Sequence, residues 1–216
     1  MKRYQEYMPR ILAHEGGFVD HPKDPGGATN RGVTIGTLRK LGIDKDGDGD
    51  SDIVDLKLLT ADDAAMVFKR FYADAVQADL LPRGLDYAMT DFAVNSGPTR
   101  AAEHLQRILG VAVDGHIGPK TLAAVAKRDT AELIEALHQS RLRFLRALKT
   151  WPTFGRGWQA RVDEVRRQAL DDADDPVFAD PGFASKPVAD NSRPDPAAKG
   201  FWASLLTALL GILKGR

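Results

Sequence analysis

The sequence predicts a mainly α-helical protein, and three observations carry that prediction. Apolar residues recur at three- and four-residue spacing through most of the first 170 positions. Helix start and stop signals separate those runs. Nothing reads as a long alternating strand, apart from a short ribbon near Gly32 to Ile35.

The elements follow in order. Tyr4, Met8, Ile11 and Leu12 share a helical face that Glu15 extends, and Gly16–Gly17 stops the run. In "TADDAAMVFKRFYADAV", Thr60 is the expected N-cap and Asp63 its capping-box partner, with Val67, Phe68, Phe71 and Tyr72 on one face. "LDYAMTDFAVN" reads as a short helix broken by "SGP", after which Thr99 is the expected cap of a helix carrying Glu103, Leu105 and Ile108. Pro119 suits the first position of the helix "KTLAAVAK". Residues 130–149 make a long amphipathic helix through Leu133, Ile134, Leu137, Leu145 and Leu148, and residues 156–170 make one more. From Asp171 to Lys199 the composition turns to Asp, Ala and Pro, with prolines at 176, 181, 187, 194 and 196, which predicts a disordered linker.

Composition excludes several functions. The chain has 216 residues, 43% hydrophobic, enough for one or two cored domains. A net charge of zero gives no global field for nucleic acid, and no nucleic-acid partner is expected. Charge is uneven, with ten acidic against four basic residues over 44–79 and eleven basic against five acidic over 120–169; the basic stretch reads first as a solvated helix surface. With no cysteine, disulfides, thiol nucleophiles and Cys-based metal sites are out. The five histidines show no metal-binding spacing, and His14 reads as structural. "MKRYQEYMPR" lacks an apolar h-region, so no ordinary secretory signal is expected and synthesis in the cytoplasm is.

"DKDGDGDSDIVD" fits the calcium-binding loop template of an EF-hand. Asp44, Asp46 and Asp48 fill positions 1, 3 and 5, Gly49 the turn, Asp50 the carbonyl position, Asp52 the ninth and Asp55 the twelfth. Ser51 replaces the usual apolar residue, and Asp55 is shorter than the usual glutamate. Six like charges in twelve residues repel unless a cation neutralises them, so a structural Ca²⁺ is expected, with no cofactor needed for catalysis; the alternative is a solvated acidic turn.

Glu15 stands between an apolar helical run and "GGFVDHPKDPGGATNRGVT", a loop crowded with turn-forming residues. Apolar neighbours and a helix C-terminus both disfavour its charge. A carboxyl kept protonated near neutral pH suits a general acid for glycosidic cleavage, with a second carboxylate nearby. Asp24 and Asp20 are the available partners, and Thr29 and Thr34 are candidates to hold a water. The plain alternative is a helix-end residue bonded to nearby amides.

"HEGGFVDHPKDPGGATNRGVT" resembles the signature of glycoside hydrolase family 108, lysozyme-like N-acetylmuramidases of phages and bacteria with a catalytic Glu in an E-G-G-aromatic motif. Glu15, Gly16, Gly17 and Phe18 fill that motif; "DPGGATNRGVT", "GIDKDGDGDSDIVDL" and "RFYADAV" extend the likeness over about residues 8–92, although the family often has Tyr-Trp where Phe71 and Tyr72 stand. "DFAVNSGPTRAAEHLQRILGVAVDGHIGPKTLAAV" resembles the predicted peptidoglycan-binding domain that commonly follows. The resemblance implies a lysozyme-like helical fold. It implies Glu15 as general acid, and Glu15, Asp24 and Thr29 resemble the Glu–Asp–Thr order of phage-type lysozymes, with the Thr spacing off by one. If Asp24 positions a water, inversion is expected. Thr34 and Asn95 are candidate substrate contacts.

The domains expected are 1–92 catalytic, 93–170 peptidoglycan-binding, 171–199 linker and 200–216 tail. In the tail, Phe201, Trp202, Leu205, Leu206, Leu209, Leu210 and Leu213 form an apolar stripe. A thirteen-residue helix would be about 20 Å long, short of a ~30 Å hydrocarbon core. Trp202 at one end and Lys214 and Arg216 at the other favour membrane contact through residues 201–213, over docking on the protein's own core. Trp151, Phe154 and Trp158 read as locking the last helix to the core, with sugar stacking as the alternative. The function expected is an endolysin that hydrolyses the β-1,4 bond between N-acetylmuramic acid and N-acetylglucosamine of peptidoglycan, acting at the wall or periplasm with association to the inner membrane through the tail. Alternatives are a lytic transglycosylase at the same bond and a non-catalytic wall-binding module.

Overall fold

The structure, a computed structural model, describes residues 3–20 and 27–175. The predicted tail and most of the predicted linker lie outside the described residues. The fold is mainly helical, as the periodicity predicts. Two compact units divide between Phe71 and Tyr72.

The first unit contains α1 (Tyr4–Leu12), a two-stranded ribbon of β1 (Thr29–Asn30) and β2 (Val33–Thr34), α2 (Ile35–Leu41), α3 (Ile53–Leu58) and α4 (Ala61–Phe68). Its core collects Met8 and Ile11 from α1, Val33 from the ribbon, Leu38 from α2, Leu56 from α3, and Ala64 and Phe68 from α4, all 2% exposed or less. A fully buried aliphatic or aromatic side chain contributes roughly 1.5–3 kcal/mol. α1 ends at Leu12, three residues before Glu15. The end tightens: the His14 amide bonds Ile11 O and the Glu15 amide bonds Leu12 O, the three-residue pattern that closes helix termini. The Thr60–Asp63 capping box forms in full at the start of α4. α4 runs on into a π-helical turn, Lys69–Ala73.

The second unit is built around α5 (Leu85–Ser96), of which every residue is buried. Packed on it are α6 (Pro98–Leu109), α8 (Thr130–Arg146) and α9 (Trp151–Ala173), while α7 (Pro119–Val125) packs on α6. Three differences from the expected elements have local causes. Gly97, at φ +95°, rather than Thr99 precedes α6, because the fixed φ of Pro98 suits the first helical position. α8 ends at Arg146, with Ala147–Thr150 as a turn. α9 begins at Trp151 instead of near residue 156; Pro152 is harmless in a first turn, and packing overrides the poor helix propensity of Gly155 and Gly157. Pairs His138–Asp163 and Glu135–Arg166 run in opposite senses, so α8 and α9 are antiparallel.

Candidate active site

Glu15 is seated by the ribbon of its own unit. After Gly16 and Gly17 the chain returns to pair with β1: the amides and carbonyls of Val19 and Thr29 exchange two bonds of 2.8 Å. β1 and β2 are joined by Arg31 and Gly32, with φ of +50° and +76°, the two positive values of a type I′ turn. A Cβ on Gly32 would lie 2.6 Å from the Phe68 ring and 3.2 Å from both Cγ and Oε2 of Glu15. Gly32 is therefore required twice, by its backbone and by this close approach. The Glu15 side chain rests on the bare backbone of the ribbon turn, in a half-buried position.

Thr29 and Thr34 are directly opposed across the ribbon and share a face. The Thr34 oxygen accepts from the Thr37 amide at 3.1 Å and caps α2. Among the described residues the hydroxyl of buried Thr29 makes one long bond, donating to Gly27 O at 3.4 Å. Asp24 lies outside the described residues; Asp20 is exposed. Phe18 is exposed, with the Lys57 ammonium 5.1 Å from its ring centroid. Asn95 belongs to the second unit, where it is buried and its Oδ1 accepts from the Ser96 hydroxyl at 3.0 Å. Sequence reasoning missed two ribbon anchors: Asn30 donates to Leu56 O at 2.8 Å, and Arg31 Nε to Leu59 O at 3.2 Å. Their signal was a hairpin "TNRGVT" with polar residues where a free ribbon would need none. A cavity of about 490 Å³ between α1 and α4, lined by Tyr4, Met8, Leu12, Arg31 and Met66, does not include Glu15.

In the acidic loop, carboxylate oxygens of Asp44, Asp46 and Asp48 lie within 4.8 Å of one another, and those of Asp50, Asp52 and Asp55 form a second such group. Oxygens around one Ca²⁺ at 2.3–2.6 Å are separated by distances up to about twice that, a span that three carboxylates of either triplet do not exceed. Asp44 also accepts from the amides of Gly47 and Gly49. Asp55 is fully buried and accepts from the amides of Asp52 (2.7 Å), Lys45 (2.5 Å) and Asp46 (3.3 Å), which hold its carboxyl below the ordinary range. Asp55 thus ties the two ends of the loop while capping α3. Desolvation, opposed by a bond from the Asp48 amide, pushes the Asp46 carboxyl up; the neighbouring Asp48 charge does the same to Asp50.

The second unit holds groups the sequence did not flag. Asp91, fully buried in α5, accepts from Arg141 of α8 at 2.7 Å and from Arg161 of α9 at 3.1 and 2.7 Å. Burial opposes its charge, but the two guanidiniums hold its pKa at about 2. Buried Gln106 binds Asp114, His116 O and Thr121 through its amide nitrogen and accepts from the Asp114 and Gly115 amides. It pins the Asp-Gly turn that precedes α7. His104 bonds Ser140 at 2.8 Å between the Phe92 and Phe144 rings, and desolvation lowers its pKa.

Residues 8–97 match the profile described as glycosyl hydrolase 108, and residues 100–163 the predicted peptidoglycan domain. The solved structure of Brucella abortus SagA is 43% identical, with a TM-score of 0.68, over 81% of this chain and 98% of that one. No curated protein matches. The helical architecture is consistent with a lysozyme-like fold. With its catalytic and wall-binding profiles in order and a relative of this identity aligned over nearly its whole length, the chain belongs to the glycosyl hydrolase 108 family of glycoside hydrolases that act on peptidoglycan.

Proposed function

We propose that the protein is an N-acetylmuramidase that hydrolyses the β-1,4 bond between N-acetylmuramic acid and N-acetylglucosamine. The seat of Glu15 carries this reading: its side chain is held against the turn of the ribbon and beside the Phe68 ring, at the end of α1. Glu15 donates its proton to the glycosidic oxygen as the bond to the anomeric carbon breaks. Asp24 deprotonates a water as it attacks that carbon, and Thr29, whose hydroxyl makes one long bond among the described residues, accepts a hydrogen bond from the same water. Thr34, on the ribbon face shared with Thr29, is assigned to substrate contact. In this reading the enzyme is an endolysin-type lysin made in the cytoplasm, with residues 201–213 bringing it to the inner membrane.

Mass spectrometry of the fragments released from purified peptidoglycan tests the chemistry. Wild type should release fragments with reducing-end N-acetylmuramic acid, and Glu15→Gln should reduce the rate by about 10²–10⁴-fold, the usual loss for a general acid. Anhydro ends would assign the protein to transglycosylation, and no fragments at all would leave a binding module.

We also propose that the acidic loop holds a structural Ca²⁺, supported by the triplet of Asp44, Asp46 and Asp48; Asp55 groups instead with Asp50 and Asp52 and has to turn from its amide partners to join the ion. The expected ligands are the side chains of Asp44, Asp46 and Asp48, the Asp50 carbonyl and Asp55. Saturating Ca²⁺ should raise the melting temperature by several degrees over chelator, since a ligand at ~100 times its Kd stabilises by about 2.7 kcal/mol. Asp46→Asn should shrink that increment. An unchanged melting temperature with Ca²⁺ present would reduce the loop to a solvated turn.

A further inference from the structure

Between Glu135 and Asp163 the chain has no acidic residue and six arginines and lysines. Arg141 and Arg161 are spent on Asp91. The other four, Arg143, Arg146, Lys149 and Arg156, are all exposed, and among the described residues none pairs with an acid. They lie along the elbow where α8 turns into α9. The same elbow carries three aromatic rings. Trp151 and Trp158 are 6.3 Å apart and pack against the Leu142, Leu145 and Val162 core, so they cannot swing freely. Phe154 stacks on Trp158, with centroids 5.7 Å apart and planes 29° apart, yet stays 38% exposed. The Arg146 guanidinium lies 5.9 Å from the Trp151 centroid.

Two glycines inside α9 sharpen the picture. Gly155 has a packing reason, because a Cβ there would lie 2.5 Å from the Trp151 indole. Gly157 has none: nothing stands within 4 Å of its Cβ position, and it is exposed in the interior of a helix that glycine weakens. It leaves the backbone bare next to Trp158 and one turn from Phe154, which suits close approach by a ligand.

We propose that the α8–α9 elbow is the surface that docks peptidoglycan strands. Phe154, backed by Trp158, offers a flat ring to the C–H face of a sugar, and the unpaired cations meet the carboxylates of the stem peptides. The partner is thus a glycan carrying negative charge, which offers sugar faces to the ring and carboxylates to the cations of the elbow. An anionic lipid surface would meet the cations alone: Phe154 is the only large exposed apolar side chain described on α8 or α9, too little for insertion. The proposal rests on peptidoglycan being the substrate, and its residues belong to the second unit, whereas Glu15 belongs to the first.

The test uses the full chain carrying Glu15→Gln, so that the wall stays intact, in co-sedimentation with purified sacculi at stepped salt. Phe154→Ala and the triple change Arg146→Gln, Lys149→Gln, Arg156→Gln should each weaken binding by at least ~5-fold, about 1 kcal/mol. The triple change should also flatten the salt dependence, because exposed charges are screened, and Phe154→Tyr should restore binding. In chains that retain Glu15, cleavage of short soluble peptidoglycan fragments should be unaffected by the same changes. Cleavage therefore reports the muramidase reading and sedimentation reports the elbow, each failing on its own. Sacculus binding unchanged in both variants would overturn the proposal. So would a loss confined to phosphatidylglycerol vesicles, which would make the elbow a lipid contact.

Discussion

Gly32 shows how far one residue determines where the Glu15 side chain sits. The E-G-G-aromatic stretch marks Glu15 in the sequence, and a short ribbon is legible near Gly32 to Ile35, but no pattern in the sequence says that the turn of that ribbon lies under the carboxylate. That contact joins residues seventeen apart in the chain, and only the folded backbone creates it. Gly32→Ala tests it. The new methyl group would meet the Phe68 ring at 2.6 Å in a backbone of φ +76°, so stability should fall by roughly 1–3 kcal/mol. Because the same methyl pushes on Glu15, the hydrolytic rate should fall by tenfold or more even well below the melting temperature, as small displacements of catalytic groups cost about 10². A stability loss with an unchanged rate would mean that Glu15 works from another seat.

At the level of elements, helix periodicity and capping signals were readable because they are local. The Thr60 capping box and the proline-started α7 needed only neighbours in sequence. α5 was readable as a helix but not as a centre, since its mixed composition, with Asp86, Thr90, Asp91 and Asn95, resembles a surface helix. Its burial depends on arginines that come 50 and 70 residues later. Asp91→Asn should therefore cost about 3–5 kcal/mol, because it strands two guanidiniums, one of them fully buried. The pH dependence has a definite sign. The folded pKa, about 2, lies below the ordinary 3.8, so the charged carboxylate stabilises the fold above pH 3.8. That contribution is lost as pH falls from 3.8 through about 2. Acid titration of the fold by circular dichroism should show wild type losing stability across this window and Asp91→Asn nearly flat there. Parallel curves would mean that the triad contributes nothing to acid stability.

Across the whole molecule, the two family profiles end at residue 163, and 81% of the chain suffices to align nearly all of SagA. Residues 176–216 add something that neither profile describes. Their sequence combines a proline-rich stretch with the apolar run "FWASLLTALLGIL", which the proposed function assigns to a lipid interface. Among the described residues no helix is long and apolar enough to cross a membrane. The segregation yields a clean expectation. A chain ending after Asp175 keeps α1 to α9 intact and should clear isolated sacculi within about twofold of the full rate, since every proposed catalytic and docking group is retained. Its association with phosphatidylglycerol vesicles should disappear, while the separate peptide 200–216 should bind them. If truncation instead abolished hydrolysis of isolated wall, the added segment would have to support the catalytic unit itself, and its apolar face would belong to the protein's own core.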